Sequence, residues 1–365
     1  MKCNWRDCTL GDLITFQRGH DLSKKQMTDG KYPVIGSNGI IGYHDQYTTE
    51  APSITIGRSG NVGTPFIFYG RTWSHNTTLY VKNFKGNDPL FVFYFLKTMS
   101  LANYAGGSAV PTLNRNHIHA LPIRVPSSVE AQKKIGGFLR LFDKKIELNN
   151  AINKNLFQQA QILYKNRFID MQPFNGKMPS DWHLGTVSEI VELHDSKRIP
   201  LSSRERADLD KIYPYYGATS VMDYVDRYIF NGIYLLLGED GTVVDGNGFP
   251  ILQYVEGKFW VNNHAHIITG KNSFTVEMLY LLFSLTNVRS IITGAVQPKI
   301  SQANLKKVSV IIPSTSEIKA FDSIVQPIFT QIRNLRAENN SLADIRDTLL
   351  PHLMSGEIDI SALDL

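Results

Sequence analysis

Apolar and polar positions change texture twice along the chain, each time at a proline. Before Pro126 the apolar runs are short and glycine-punctuated, as in Ser53-Ile54-Thr55-Ile56, Pro65-Phe66-Ile67-Phe68-Tyr69 and Thr77-Thr78-Leu79-Tyr80-Val81. Such runs predict strands separated by turns. A short helix is expected over 89–99, matched by another over 276–285. Beyond Pro126 the period becomes helical: Ile135, Phe138, Phe142, Ile146, Asn149, Ile152, Leu156, Ala160 and Leu163 follow a 3–4 spacing. Beyond Pro313 the same switch recurs through Phe321, Ile324, Ile328, Ile332, Leu335, Asn339, Leu342, Ile345 and Leu349. That spacing, held over about four heptads, predicts a coiled-coil seam, with Asn149 and Asn339 read as solvent-facing. A packed internal helix pair would leave the same pattern. Each helix has about 40 residues and so spans about 60 Å. Ser127-Ser128-Val129-Glu130 and Ser314-Thr315-Ser316-Glu317 offer N-caps.

The two changes of texture belong to an internal repeat of about 180 residues. Trp5 with Leu10-Gly11-Asp12-Leu13 recurs as Trp182 with Leu184-Gly185-Thr186-Val187. Tyr32, Pro33, Gly36, Gly57 and Gly60 recur 181 positions on, as Tyr213, Pro214, Gly217, Gly238 and Gly241. After a short insertion the offset is 187, matching Gly70, Trp73, Asn76, Gly107, Pro111, Pro126 and Glu130 to Gly257, Trp260, Asn263, Gly294, Pro298, Pro313 and Glu317. One offset held over so many Gly, Pro and Trp positions means duplication. The expected fold class is α+β: two tandem mixed α/β domains separated by two long helices in an antiparallel coiled coil, with a pseudo-two-fold internal repeat. The expected segments are 1–126, 127–171, 172–313 and 314–365.

Charge sharpens this picture. The chain has 365 residues and a formal net charge of +5. Residues 1–180 carry 22 Lys and Arg against 11 acids, and 181–365 carry 16 against 22. A basic front half suits a polyanion partner, although such asymmetry is also common in proteins without one. The helix segments oppose each other, net +5 over 127–180 and −4 over 314–365, which favours their pairing within one chain. No apolar run approaches the roughly 20 residues of a spanning helix. The first seven residues lack an apolar core for a secretory leader. The two cysteines, Cys3 and Cys8, fit no common zinc spacing. The expectation is a cytoplasmic chain that does not enter membranes.

Motifs for chemistry are sparse. There is no GxxxxGK[ST], no GxGxxG opening a helix, no HExxH and no GxSxG. A nuclease-like string, Asp245 with Glu256-Gly257-Lys258, keeps only a basic residue after Gly in the other copy, where Tyr69 and Arg71 stand. His264 and His266 resemble a ligand pair, but Thr77 and Leu79 are their counterparts, so loop or core histidines are expected and no metal site. What recurs is a polar, glycine-flanked set. In the first copy it comprises Lys24, Lys25, Ser37, Asn38, Arg58, Ser59, Asn61, Arg71, Ser74, His75, Asn76, Thr112, Asn114, Arg115 and Asn116. In the second it comprises Lys197, Arg198, Thr219, Ser220, Glu239, Asp240, Thr242, Lys258, Asn263, His264, Gln297, Lys299 and Ser301. Such residues read base edges and hold phosphates, and they also serve as solvated loops. Arg58-Ser59 became Glu239-Asp240 while the glycines stayed, which favours recognition loops.

Together these features resemble the specificity subunit of type I restriction-modification enzymes. Similar chains begin with Trp-…-Leu-Gly-Asp, here Trp5 with Leu10-Gly11-Asp12. They leave each globule through Pro-x-x-x-Glu-x-Gln, here Pro126 to Gln132. They close on Leu349-Leu350-Pro351-His352-Leu353-Met354-Ser355-Gly356-Glu357-Ile358. In the second copy Gly185-Thr186 departs from Gly-Asp, and Glu317-Ile318-Lys319 lacks the Gln. The resemblance implies two target recognition domains, each reading half of a bipartite double-stranded DNA site, with the helices as a ruler. It implies two methyltransferase subunits carrying S-adenosylmethionine, and restriction subunits using ATP and Mg. This chain would bind no cofactor or metal and catalyse nothing. Two rivals stand beside it: the specificity chain of another DNA-modification or phage-defence system, and a single-chain metal-dependent nuclease using Asp245, Glu256 and Lys258.

Overall fold

A computed structural model describes residues 4–107, 111–294 and 296–360; Cys3 lies outside them. The chain forms two compact units that cut across the four sequence segments. One is 1–149 with 337–365, and the other is 150–336.

In the first unit Thr15–Arg18, Thr78–Asn83, Ser53–Gly57 and Pro65–Phe68 form an antiparallel sheet in that order, and Gly39–His44, Tyr32–Gly36 and Trp73–Ser74 form a second. Trp5–Thr9 pairs with Pro122–Pro126, the strand that leads into the first long helix, Val129–Tyr164. Gln132 fixes this exit. Its amide donates to Asn87 Oδ1 at 2.9 Å and Pro126 O at 3.1 Å, and its Oε1 accepts from Asp88 N at 2.9 Å. The unit's core joins Leu10, Ile54 and Phe91 to Ile135 and Leu139, and to Leu350, Leu353 and Met354 of the second long helix, Thr315–Ser355. Tyr94 Oη donates to Asp143 at 2.5 Å, and Arg346 pairs with the same carboxylate. At the end of that helix Gly356 has φ +79°, and a Cβ there would meet the Trp5 ring at 2.5 Å. The first and last sequence motifs are therefore packed against each other.

The second unit repeats the plan with one change. Val191–Leu193, Ala265–Gly270, Phe230–Gly238, Leu252–Val261, Tyr213–Tyr216 and Val221–Val225 form one six-stranded sheet. The insertion between the copies falls in and before Leu252–Val261, a ten-residue strand that takes the place of both Pro65–Phe68 and Trp73–Ser74. Its core includes Leu235, Leu279, Ala160 and Tyr164, with Phe321, Val325, Phe329 and Ile332 from the second long helix. Tyr254 Oη donates to Glu277 at 2.6 Å, and Arg333 bonds both.

Within each unit the helix segments run antiparallel. Lys145 meets Glu338 and Asp143 meets Arg346 in the first, and Tyr164 meets Phe321 and Phe157 meets Phe329 in the second. Several expected seam positions face solvent instead: Ile152, Leu163, Ile324 and Ile345 are exposed. Ile135, Ile332 and Leu335 are buried, and Phe138, Leu156, Ile328 and Leu349 pack at core edges, while Phe142, Ile146 and Leu342 are half-buried. The inward stripe uses Leu139, Phe321, Val325, Phe329 and Leu353, because these segments pack on globules as well as on each other. Asn149, read as solvent-facing, is fully buried.

One repeat match is corrected. Thr9 and Asp12 form a capping box, Asp12 Oδ2 accepting from Thr9 N at 2.9 Å, and Glu189 Oε1 accepts from Thr186 N at 2.8 Å in the same box. The counterpart of Asp12 is thus Glu189, and Thr186 matches Thr9. These backbone N–H bonds hold both carboxyls below their ordinary values. No helix among the described residues is long and apolar enough to cross a membrane.

Candidate nucleic-acid interface

Four loops meet in each globule on one backbone framework. Arg58 N donates to Thr77 O at 2.7 Å, and Arg58 O accepts from Leu113 N at 2.8 Å. In the second globule Glu239 N donates to His264 O at 2.8 Å, and Glu239 O accepts from Ile300 N at 2.8 Å. Ser59 bridges Thr112 as Asp240 bridges Lys299. Gly60 and Gly241 both hold φ near +80°, where a side chain would be strained. The offsets of 181 and 187 read from the glycines are therefore the offsets of the hydrogen bonds. The backbone is kept while the side chains projecting from it changed.

Those side chains divide by how they are engaged. In the first globule Lys24, Lys25, Asn38, Asn61, Arg71, Asn114, Arg115 and Asn116 are exposed, and Ser37, Arg58, Ser59, His75, Asn76 and Thr112 are half-buried. Among the described residues the Arg58 side chain reaches Asn76 O alone, at 3.5 Å. Asn61 accepts from Thr64 at 3.0 Å, and Asn76 donates to Asp21. His75 has both ring nitrogens engaged, by Thr77 and by Leu22 O, each at 3.1 Å. Ser74 is fully buried and shares a 2.7 Å hydrogen bond with Thr49, so it faces the interior rather than a ligand. Arg71 pairs with Glu50 at 2.8 Å and lies 4.5 Å over Tyr47.

In the second globule Lys197, Thr219, Ser220, Thr242, Lys258, Asn263, Gln297 and Lys299 are exposed. Lys258, the counterpart of Arg71, lies 4.8 Å over Tyr228, the counterpart of Tyr47. Asp240 contacts His264 Nδ1 at 2.5 Å. Asn114 and Ser301, 187 apart, both cap short helices, accepting from Asn116 N at 2.9 Å and Asn304 N at 3.2 Å. Their polarity has a helix to serve.

Beneath the second loop cluster lies a charge network that sequence reasoning missed. Glu239 is buried, held by Arg198 at 2.5 Å and Lys299 at 3.1 Å. Asp195 accepts from His266 Nδ1 at 2.6 Å, Gln302 at 2.6 Å and Ile267 N at 2.9 Å. His266 Nε2 lies 2.8 Å from Ile300 O, so both ring nitrogens face acceptors. Burial pushes both carboxyls up, but their hydrogen bonds outweigh it and leave each below its ordinary value, through His266 for Asp195 and Arg198 for Glu239. Asp195, Glu239 and His266 bring three ligand atoms within 4.8 Å. A guanidinium, an ammonium and an amide already bond these carboxylates, as in a buried ion network. Arg198, Glu239 and Lys299 are thus tied to one another. His266, singled out with His264 and expected as a loop or core histidine, is a core one, while Asp195 and Gln302 carried no signal, since 107 residues separate them.

The nuclease string is not assembled. Asp245 caps its own turn, accepting from Asn247 N and Phe249 N at 2.9 Å. Glu256 pairs in register with Ile233, four residues into the strand that begins at Leu252 beyond this turn, or about 13 Å along it.

Comparison with known proteins decides the family. A family model described as the type I restriction modification DNA specificity domain matches residues 2–158 and again 179–343. The chain belongs to this family. As a type I restriction-modification specificity subunit it is 26% identical, over 306 residues, to the MjaIX specificity subunit of Methanocaldococcus jannaschii, covering 75% of this chain and 70% of that one. It is 22% identical to the HindI specificity subunit of Haemophilus influenzae, covering 86% and 82%. The S subunit of a type I system from M. genitalium has the same fold, with a TM-score of 0.57 at 20% identity and 96% of each chain covered. Both copies of the specificity domain bear one of the loop clusters.

Proposed function

We propose that this specificity subunit reads a bipartite duplex DNA target and performs no catalysis itself. Each globule takes one half-site through its four-loop cluster, and the two long helices set the unread gap. Two methyltransferase subunits dock on the helices and globules, bringing S-adenosylmethionine. Restriction subunits using ATP and Mg join that core, and the assembly works in the cytoplasm.

The observation that carries the reading is the twice-built backbone clamp with different side chains on it. A fixed frame holds loops at one geometry, and the side chains decide which bases are accepted. Arg58, whose one side-chain contact among the described residues is long, can turn to donate two bonds to guanine. Asp240 and Asn263 stand at the corresponding rim of the second cluster and suit different base edges.

A domain exchange tests it. Residues 4–149 are replaced together with 337–360, because Leu139 and Leu353 share a core with the first globule. The donor is another family member of known target, and methylation mapping reads the result. One half-site should change and the other persist. If both halves change together, the two-module reading fails.

A further inference from the structure

One surface is kept between the copies where the reading loops are not. Strand Gly39–His44 lies at the edge of its three-stranded sheet, and Val221–Val225 at the edge of the six-stranded sheet. Each exposes apolar side chains at matching positions, 181 apart: Ile40 at 50% and Val221 at 37%, Ile41 at 41% and Met222 at 56%, Tyr43 at 52% and Tyr224 at 46%. The ladder slips at the same step in both, between Val34 and Ile35 and between Tyr215 and Tyr216. Ile41 and Met222 are the residues left out of register. A bulge of this kind re-aims a side chain, and here it aims the equivalent one twice.

Single exposed apolar residues are ordinary, but a run of them on an open sheet edge is a liability that folds remove unless something uses it. Just before these strands Ser37-Asn38-Gly39 became Ala218-Thr219-Ser220. A surface that keeps its character while its neighbours drift meets the same thing twice.

DNA fits it poorly. Residues 39–50 hold Asp45 and Glu50 with no Lys or Arg, and 220–231 hold Asp223 and Asp226 with one Arg. The adjacent Arg71 leaves the first patch net negative; in the second, Arg206 and Lys211 are already held by Asp223 and Arg227 by Asp226, whereas phosphate contact calls for free cations. A second copy of the chain also fits poorly. The bulge blunts strand-to-strand pairing, and a chain with two self-pairing edges would grow open assemblies instead of closed ones. A surface bearing exposed Tyr and Met has residue types enriched in protein interfaces.

We propose that this bulged edge is the docking surface, on each globule, for a protein partner present in two copies. The partner presents an apolar pocket to Ile41 and Tyr43 on one globule and to Met222 and Tyr224 on the other. The proposal rests on the reading above that methyltransferase subunits bind twice, and it assigns where each touches its globule.

The test uses the full-length chain and purified methyltransferase subunit from the same host, with complex mass measured by light scattering. The wild-type chain should take up two subunits. Ile41→Ser with Tyr43→Ser should weaken one site at least tenfold, Met222→Ser with Tyr224→Ser the other, and all four substitutions both. DNA affinity of the free chain and its melting transition should stay unchanged. Two subunits retained at wild-type affinity by the quadruple variant overturns the proposal. So does a tenfold loss of DNA affinity, which would make the edge a DNA surface. A free chain whose oligomers dissolve on substitution overturns it in favour of self-association. If a variant loses its melting transition, Ile41→Gln and Met222→Gln replace it and are held to the same outcomes. Failure of the wild-type chain to bind any subunit sinks this proposal together with the docking part of the reading it rests on; binding by wild type and variant alike sinks this proposal alone.

Discussion

Asn149 donates its side-chain amide to Asn339 Oδ1 at 2.9 Å and to Glu338 Oε2 at 2.8 Å, from a site with no exposed surface. Its own Oδ1 is buried without a hydrogen bond among the described residues. An amide between paired helices lowers stability while fixing which residues face each other. Its partners are only half-buried and rehydrate easily. Asn149→Leu is therefore expected to stabilise the chain by about 1 kcal/mol, from added apolar burial and removal of the orphaned oxygen. Calorimetry checks this: a lowered melting midpoint would mean that the amide pairing outweighs both gains.

The loop clusters separate readers from scaffold. Arg58→Ala should cost about 1–3 kcal/mol of binding and relax one target position. Ser74→Ala should leave the target preference intact and cost about 1 kcal/mol of folding stability, since it removes the buried bond to Thr49. Competition binding against a panel of single-base variants distinguishes them. A relaxed position in Ser74→Ala would return that residue to the reading surface.

Sequence made the duplication legible because glycines at positive φ, such as Gly60 and Gly241, tolerate no drift, and the loops hang on them. The strands and the two short helices were legible for the same reason, being bounded by turns. The phase of the long helices was not. Ile152, Leu163, Ile324 and Ile345 extend a 3–4 rhythm, but a straight helix drifts about 20° per heptad from a 3.5 repeat. These segments also divide their apolar faces between a helix and a globule, so rhythm alone assigns the wrong side. Nor could spacing reveal the network of Arg198, Glu239, Asp195 and His266, since strands distant in sequence bring it together. The capping roles of Asn114 and Ser301 were open to inspection, each standing just ahead of a short helical run.

That network predicts a pH response. Asp195 and Glu239 are held below their ordinary values of 3.8 and 4.5, and Asp223 is lowered to about 2 by Tyr224 N, Arg206 and Lys211. Carboxyls depressed in the folded state contribute stability above their unfolded values and lose it as pH falls through the folded ones. Residues 150–336 should therefore destabilise progressively from about pH 4.5 toward pH 2. Glu239→Gln should cost roughly 1–3 kcal/mol at pH 7, by weakening the hold on the half-buried Arg198, and should shrink the acid-induced loss. Thermal midpoints of both proteins across pH 7 to 2 decide it. Parallel curves would remove Glu239 from the account.

Each globule is fastened to its helices by a tyrosine, a carboxylate and an arginine: Tyr94, Asp143 and Arg346 in one, Tyr254, Glu277 and Arg333 in the other. Asp143→Ala strands Arg346 and the Tyr94 hydroxyl and should cost roughly 1–3 kcal/mol. The loss should appear in hydrogen exchange as earlier opening of the Pro89–Thr98 helix, with residues 150–336 unaffected. Equal loosening of both units would mean that they do not unfold separately.

If the long helices set the gap in the target, their length converts to base pairs. One heptad inserted into both, near Leu148 and Leu335, preserves the helical phase and adds about 10.5 Å, or about 3 base pairs. Three base pairs also turn the groove by roughly 100°, so one globule would face the wrong side of the duplex. A single heptad should therefore abolish specific binding, whatever gap is offered. Three heptads add about 31 Å, close to 9 base pairs and nearly a full turn. Specific binding should then partly return, on a site whose gap is about 9 base pairs longer. DNA binding by the free chain is the measurement, because methyltransferase subunits need not span the longer pair. A single-heptad variant that still binds the original target with its original gap would remove the helices from any role in spacing.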